Sequence, residues 1–217
     1  MKNSKAAMFF GGILLGISAL LFSTALGLAF IQISGFPYSA DIEALNIPES
    51  SGLEKQEILD NYNAVMEYLT PFSEGDFSLP SLSFTPEGAS HFEDCRNIFS
   101  IIYLLGALSG LGIFGFAVFK RKPINGRLLK ASGTATIVLP LLLAAAMAID
   151  FQRMFLLFHR VFFSNDYWIF DPDADEIINI LPEQFFMHCA LIVVGFWLLA
   201  AAVQLWAGFS RRQRNNN

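Results

Sequence analysis

Residues 98–149 read IFSIIYLLGALSGLGIFGFAVF (98–119), KRKPINGRLLK (120–130) and ASGTATIVLPLLLAAAMAI (131–149), and this stretch decides the fold. Two apolar runs without a single Asp, Glu, Lys or Arg flank a short turn that holds Lys120, Arg121, Lys122, Arg127 and Lys130. At 1.5 Å per residue each run is long enough to cross a hydrocarbon core of roughly 30 Å, so the stretch reads as a hairpin of two membrane helices. Runs of the same kind occupy 6–33 and 187–209. Over the whole 217-residue chain, 54% of residues are hydrophobic and 15% charged, more apolar surface than a soluble domain of this size could hide. The expected fold is an all-α integral membrane domain over residues 1–217 with four transmembrane helices, at 6–33, 98–119, 131–149 and 187–209.

Charge sets the orientation. Lys2 and Lys5 precede the first span, and Arg211, Arg212 and Arg214 follow the fourth. Every Asp and Glu falls between Asp41 and Asp94 or between Asp150 and Glu183. Basic residues are retained on the cytoplasmic side, so the expectation is N-in/C-in topology with acidic outer loops at 34–97 and 150–186. The first span is too long for a cleaved signal peptide and lacks a lipobox cysteine, and it reads as an uncleaved anchor. Cys95 and Cys189 are isolated and read as two free thiols.

The first outer loop is too long to be a mere connection. Ser51-Gly52-Leu53-Glu54 fits a capping box. Ile58, Tyr62, Val65, Met66 and Leu69 then recur at helical spacing, with Pro71 as the stop. This outer amphipathic helix would lie on headgroups or close over the bundle as a lid. Residues 73–90, with two prolines and two glycines, read as irregular chain. The second outer loop is rich in aromatic residues, in part an interfacial belt.

All three histidines, His91, His159 and His188, sit at the outer ends of spans. Histidine is the usual side chain for moving protons near neutral pH. His91 and Asp94 are one helical turn apart, so Asp94 could orient the imidazole or simply favour a helix N-terminus. Asp150 and Arg153 have the same spacing. A structural ion pair accounts for them, with Arg153 as an anchor for a lipid or acyl-carbonyl oxygen the functional alternative. Gly12-x-x-x-Gly16 and Gly106-x-x-x-Gly110 allow close helix approach within the chain. No G-x-S-x-G, phosphate-binding glycine loop, nucleic-acid motif or recognisable metal spacing occurs, so neither nucleic acid nor a metal is expected as a partner. Spans one, two and four carry no Asp, Glu, Lys or Arg, which argues against ion-coupled transport.

The string Ser90-His91-Phe92-Glu93-Asp94-Cys95-Arg96 resembles the H-x-x-D segment of the bacterial lipoprotein intramolecular transacylases. Phe158-His159-Arg160-Val161-Phe162-Phe163, Trp168-Ile169-Phe170-Asp171-Pro172 and Leu181-Pro182-Glu183-Gln184-Phe185-Phe186 resemble that family's second outer loop. The four-span layout and Asn61-Tyr62-Asn63-Ala64-Val65-Met66 are similar too, so the resemblance covers essentially the whole chain. It implies an enzyme of the bacterial cytoplasmic membrane, working at the outer leaflet on diacylglyceryl-modified lipoproteins. Its reaction would move the sn-2 acyl chain from glycerol oxygen to the α-amine of the lipidated cysteine. An ester-to-amide shift runs downhill, so no cofactor is implied. His91 would be the base that deprotonates the amine, oriented by Asp94. His159 would support the oxyanion or protonate the departing glycerol oxygen. Asn165, Tyr167 and Trp168 would offer hydrogen bonds to oxyanion or glycerol. The competing class is a non-catalytic membrane sensor or assembly protein that acts through its outer loops.

Overall fold

A computed structural model describes residues 2–71, 73–119 and 125–214. Lys120, Arg121 and Lys122 of the basic turn lie outside the described residues, as do the side chains of Lys2, Lys5, Arg211, Arg212 and Arg214. The helices are α1 (Lys2–Ser34), α2 (Phe36–Ala44), α3 (Ile47–Ser51), α4 (Lys55–Tyr68), α5 (Pro86–Phe119), α6 (Gly126–Ile149), α7 (Phe151–Phe162) and α8 (Glu183–Arg214), with a 3-10 turn at Glu176–Ile180. Among the described residues there is no strand. Four segments are long and apolar enough to cross a membrane: Phe9–Ser34, Pro86–Phe119, Gly126–Ile149 and Glu183–Ser210. By contacts the chain divides into two compact units, one of Met1–Leu28, Leu104–Ala146 and Leu191–Asn217, the other of Ala29–Tyr103 and Met147–Ala190.

In the first unit small residues let helices approach. A Cβ on Gly12 would meet that of Ala131 at 3.0 Å, and one on Gly106 would collide with Ala25. Both glycine pairs therefore serve packing within the chain, where dispersion replaces the missing hydrophobic drive in lipid. Polar side chains satisfy one another, as an apolar surrounding requires. Ser132 donates to Gln204 Oε1, Gln204 Nε2 donates to Thr136 Oγ1 at 3.2 Å, and Trp197 Nε1 donates to Thr24 Oγ1 at 2.8 Å. The amide of Arg127 donates to Asn125 Oδ1 at 2.9 Å, which starts α6 at Gly126, so Arg127 and Lys130 lie in its first turns rather than in the turn.

The second unit holds a dense core. Ile58, Tyr62 and Val65 of α4 are buried with Tyr38 and Ile42 of α2 and Ile177 and Ile180 of the 3-10 turn. The amphipathic stripe read from the sequence is thus an inward packing face. Tyr38 and Tyr62 stack with centroids 3.7 Å apart, and Tyr38 Oη donates to Ile180 O at 2.7 Å. Buried Asn61 ties α4 to the extended segment that follows: Nδ2 donates to Glu57 O and Ser81 Oγ at 2.9 Å, and Oδ1 accepts from the amides of Ser81 and Leu82.

Two local expectations are corrected. The capping box does not form. Gly52, at φ 72°, ends α3 in the left-handed region, so Ser51 belongs to the preceding helix and donates to Ile47 O at 2.7 Å. Residues 86–90 are helical rather than irregular. Thr85 accepts the Gly88 amide at 3.0 Å, and Asp175 accepts from Thr85 N and Oγ1 at 2.8 and 2.9 Å, so the helix of span two begins at Pro86. The second loop contains the strongly amphipathic α7, started by Asp150 accepting the Arg153 amide at 3.0 Å.

Candidate active site

Two adjacent stretches of the second unit supply the site. Helix α5 carries His91, Asp94 and Cys95, and α7 carries His159 in its last turn, followed by Phe163, Asn165, Trp168 and Phe170 in the connection to the 3-10 turn. The structure brings His91 and His159 together with ring centroids 5.8 Å apart and planes inclined 35°. Both are buried, 6% and 8% exposed. Aromatic rings wall them in: Phe163 lies 4.6 Å and Phe170 5.5 Å from His91, while Phe155 lies 4.3 Å and Trp168 4.9 Å from His159. Such walls exclude water and strengthen any electrostatic interaction between them.

His159 Nδ1 stands 2.8 Å from the carbonyl oxygen of Phe155. A carbonyl only accepts, so Nδ1 carries the proton and Nε2 holds the lone pair of the neutral ring. Burial holds the pKa of His159 below the ordinary value, against a smaller upward pull from that same carbonyl. The ring is therefore neutral near pH 7 and able to accept a proton. His91 has a different environment. Its Nε2 lies 3.5 Å from Cys95 Sγ, and its buried Nδ1 has no hydrogen-bond partner among the described residues. An unmade buried hydrogen bond costs about 1–3 kcal/mol, so Nδ1 is the atom of this ring open to a new partner.

Asp94 sits on α5 one turn from His91, but its Oδ2 accepts from Asn165 Nδ2 at 3.0 Å, and among the described residues no hydrogen bond joins it to the imidazole. The Asn165 carbonyl accepts Trp168 Nε1 at 3.0 Å, and Asn165 Oδ1 accepts the Tyr167 amide at 3.1 Å. Asn165 thus braces the loop against α5, and Trp168 presents its ring face to His159. Tyr167 is exposed. Arg153 pairs with Asp150 (Nε to Oδ2, 2.9 Å) with its side chain 85% exposed, an arrangement that contributes little stability. The structure does not place it with the histidines.

His188, the third histidine, pairs with a carboxylate. Its Nδ1 meets both carboxylate oxygens of buried Asp41 at 2.8 and 2.9 Å. Sequence reading did not single out Asp41, whose one signal is its place among apolar residues of a short helix. It also passed over Cys95 as a neighbour of His91, although an i, i+4 spacing pointed to it. Cys95 and Cys189 are free. Among the described residues no three His, Cys, Asp or Glu side chains converge as a metal-binding group.

A family model described as lipoprotein intramolecular transacylase Lit matches residues 11–186. Among solved structures, the membrane integral lipoprotein intramolecular transacylase Lit from Bacillus cereus is 33% identical, with a TM-score of 0.86 over 97% of this chain and 99% of that one. A histidine-to-arginine variant of the Bacillus cereus protein is 31% identical, with a TM-score of 0.82 over 100% of this chain and 97% of the other. None of the curated proteins matches. With four helices fit to span a membrane, a family model matching most of its length and a solved relative one third identical, this chain belongs to the lipoprotein intramolecular transacylase family of bacterial multi-pass membrane proteins.

Proposed function

We propose that this protein moves the sn-2 acyl chain of an S-diacylglyceryl-cysteine lipoprotein to the cysteine α-amine, leaving an N-acyl, S-monoacylglyceryl product. The observation that carries the reading is the pair of buried imidazoles, His91 and His159, facing each other between aromatic walls. The amine nitrogen attacks the ester carbonyl carbon and a C–N bond forms. The amine gives up its proton to His91, and the C–O bond to glycerol breaks. The His91 imidazolium passes that proton to Nε2 of His159, which delivers it to the departing glycerol oxygen, so both rings end neutral. Of the roles open to His159, the lone pair at Nε2 suits a proton relay: it offers no donor to an oxyanion, but it can accept the proton from His91 and hand it to the glycerol oxygen. A free α-amine has a pKa of about 7.7–8.0, within reach of an imidazole base. Amine and ester belong to one molecule, so positioning supplies much of the acceleration.

In this reading Asp94 acts through Asn165 on the loop that carries Trp168. Tyr167 and Trp168 line the approach of the glycerol, and Arg153 anchors a lipid or acyl-carbonyl oxygen. Helix α4 belongs to a lid over the site. The chain works as one membrane domain with both termini inside and its histidines at the outer leaflet, where such lipoproteins are displayed. The concentration of Lys and Arg at 120–130 and at the two ends, with every Asp and Glu in the other two loops, supports that orientation.

The test is mass spectrometry of a lipoprotein N-terminal peptide from cells that otherwise make only the diacylglyceryl form with a free amine. Expression of this chain is expected to yield the N-acyl, S-monoacylglyceryl cysteine. Retention of both ester-linked chains and a free amine, with the protein present in the membrane, would overturn the assignment.

A further inference from the structure

Cys95 lies one turn along α5 from His91, and no step of the acyl transfer above uses it. Its Sγ stands 3.5 Å from His91 Nε2, while Nδ1 of the same ring, in a side chain only 6% exposed, has no partner among the described residues. A neutral imidazole carries one N–H and one lone pair, so its two tautomers present opposite groups to an incoming molecule. Sulfur is a weak partner in either tautomer, as donor or as acceptor, so the uncovered nitrogen decides between them. With the proton on Nδ1, the ring would bury an unsatisfied donor and offer an incoming amine no acceptor. With the proton on Nε2, the N–H points at a sulfur lone pair, and the uncovered atom is an acceptor that an amine N–H can satisfy. The second arrangement is the one a base requires. Resting on the transacylase reading, we propose that Cys95 is a positioning residue: its sulfur accepts the Nε2–H of His91 and keeps the Nδ1 lone pair as the atom that takes the proton from the attacking amine.

The two histidines are then fixed by opposite devices. His159 is held Nδ1–H by the Phe155 carbonyl and works through Nε2, whereas His91 is held Nε2–H by Cys95 and works through Nδ1. As the C–N bond forms, the amine proton moves to Nδ1 of His91, and the Nε2–H stays on sulfur. The resulting imidazolium is stabilised by the polarizable sulfur until the proton passes on toward the glycerol oxygen. Cys95 forms no covalent bond in this scheme.

The experiment uses the full-length protein, labelled with 15N-histidine, in lipid nanodiscs. Two-bond 15N–1H correlation spectra distinguish the tautomers, and the His91 signals are assigned by their loss in His91→Gln. The wild type is expected to show His91 as the Nε2–H form. Cys95→Ala should give a mixture of tautomers and a kcat reduced roughly five- to tenfold at unchanged KM, the effect of losing one hydrogen bond. Cys95→Ser should restore most of both. A wild-type His91 in the Nδ1–H form, or a Cys95→Ala protein with unaltered spectrum and kcat, overturns the proposal. An acyl thioester trapped on Cys95 overturns it as well. An Nε2–H wild type that makes no N-acyl product would instead sink the transacylase reading on which the catalytic part rests.

Discussion

The rings of His91 and His159 face each other 5.8 Å apart, and each has one nitrogen engaged by its own helix: Cys95 one turn on in α5, and the Phe155 carbonyl one turn back in α7. Each is left with one nitrogen for proton transfer. Replacement of either by alanine is expected to lower transacylation by about 10²- to 10⁴-fold, the usual worth of a positioned acid or base. Membrane level and melting temperature should change little by comparison. Mass spectrometry of the lipoprotein peptide beside a membrane immunoblot reads both, and wild-type activity in either variant would remove that histidine from the mechanism.

Acid should loosen the protein through His159. The buried ring titrates below the ordinary value of about 6.5 that it regains on unfolding. Between the two values the unfolded chain binds more protons, so the stability fully present above about pH 6.5 is lost as pH falls through the lowered folded value. Thermal melts in detergent should therefore drop between pH 7.5 and pH 5, with a shallower drop for His159→Gln. Identical slopes in the two proteins would contradict this assignment.

Asn165 is the bond between the loop after α7 and Asp94 of α5. Asn165→Ala should reduce kcat about five- to tenfold, equivalent to about 1 kcal/mol for one hydrogen bond. Asn165→Asp should be worse, because it sets two carboxylates against each other where one amide bond stood. If the aspartate variant is as active as the wild type, the loop is not held in this way.

Asn61 makes two donor and two acceptor contacts that link α4 to itself and to Ser81 and Leu82. Asn61→Ala is expected to cost about 1–3 kcal/mol, since it leaves buried partners unpaired. Denaturant or thermal unfolding of the purified protein measures the loss, and a change below a few tenths of a kcal/mol would mean that the core closes without it.

Orientation can be checked in intact cells. Glu49→Cys and Arg127→Cys place thiols at exposed positions on opposite sides of the proposed topology. A membrane-impermeant maleimide should label the first directly and the second only after permeabilisation. The reverse pattern would invert the chain.

Much of this protein was legible in its sequence because the strongest forces on it are one-dimensional. Hydrocarbon admits no unpaired backbone, so four uncharged runs had to be helices, and the distribution of Lys and Arg stands in the sequence itself. The stripe from Ile58 to Leu69 and the stop before Pro71 were readable from helical period and proline chemistry. The histidines were visible as candidates, and His91 and Asp94 share a turn of one helix as their spacing requires.

What the sequence left open depends on contacts between segments far apart in the chain. Asp94 looked like a partner for His91, but Asn165 reaches it from the loop after α7 and takes its carboxylate. His188 looked like the equal of the other two histidines until buried Asp41 claimed its Nδ1. Ser51 had the letters of a cap, yet Gly52 turned the chain there and made it the end of a helix. Sequence determined the four spans, the apolar face of α4 and the types of group available, because period and polarity act locally. Only the tertiary structure decided which hydrogen-bonding atom of each group was already occupied, because each donor and acceptor is claimed by whichever neighbour the fold brings within about 3 Å.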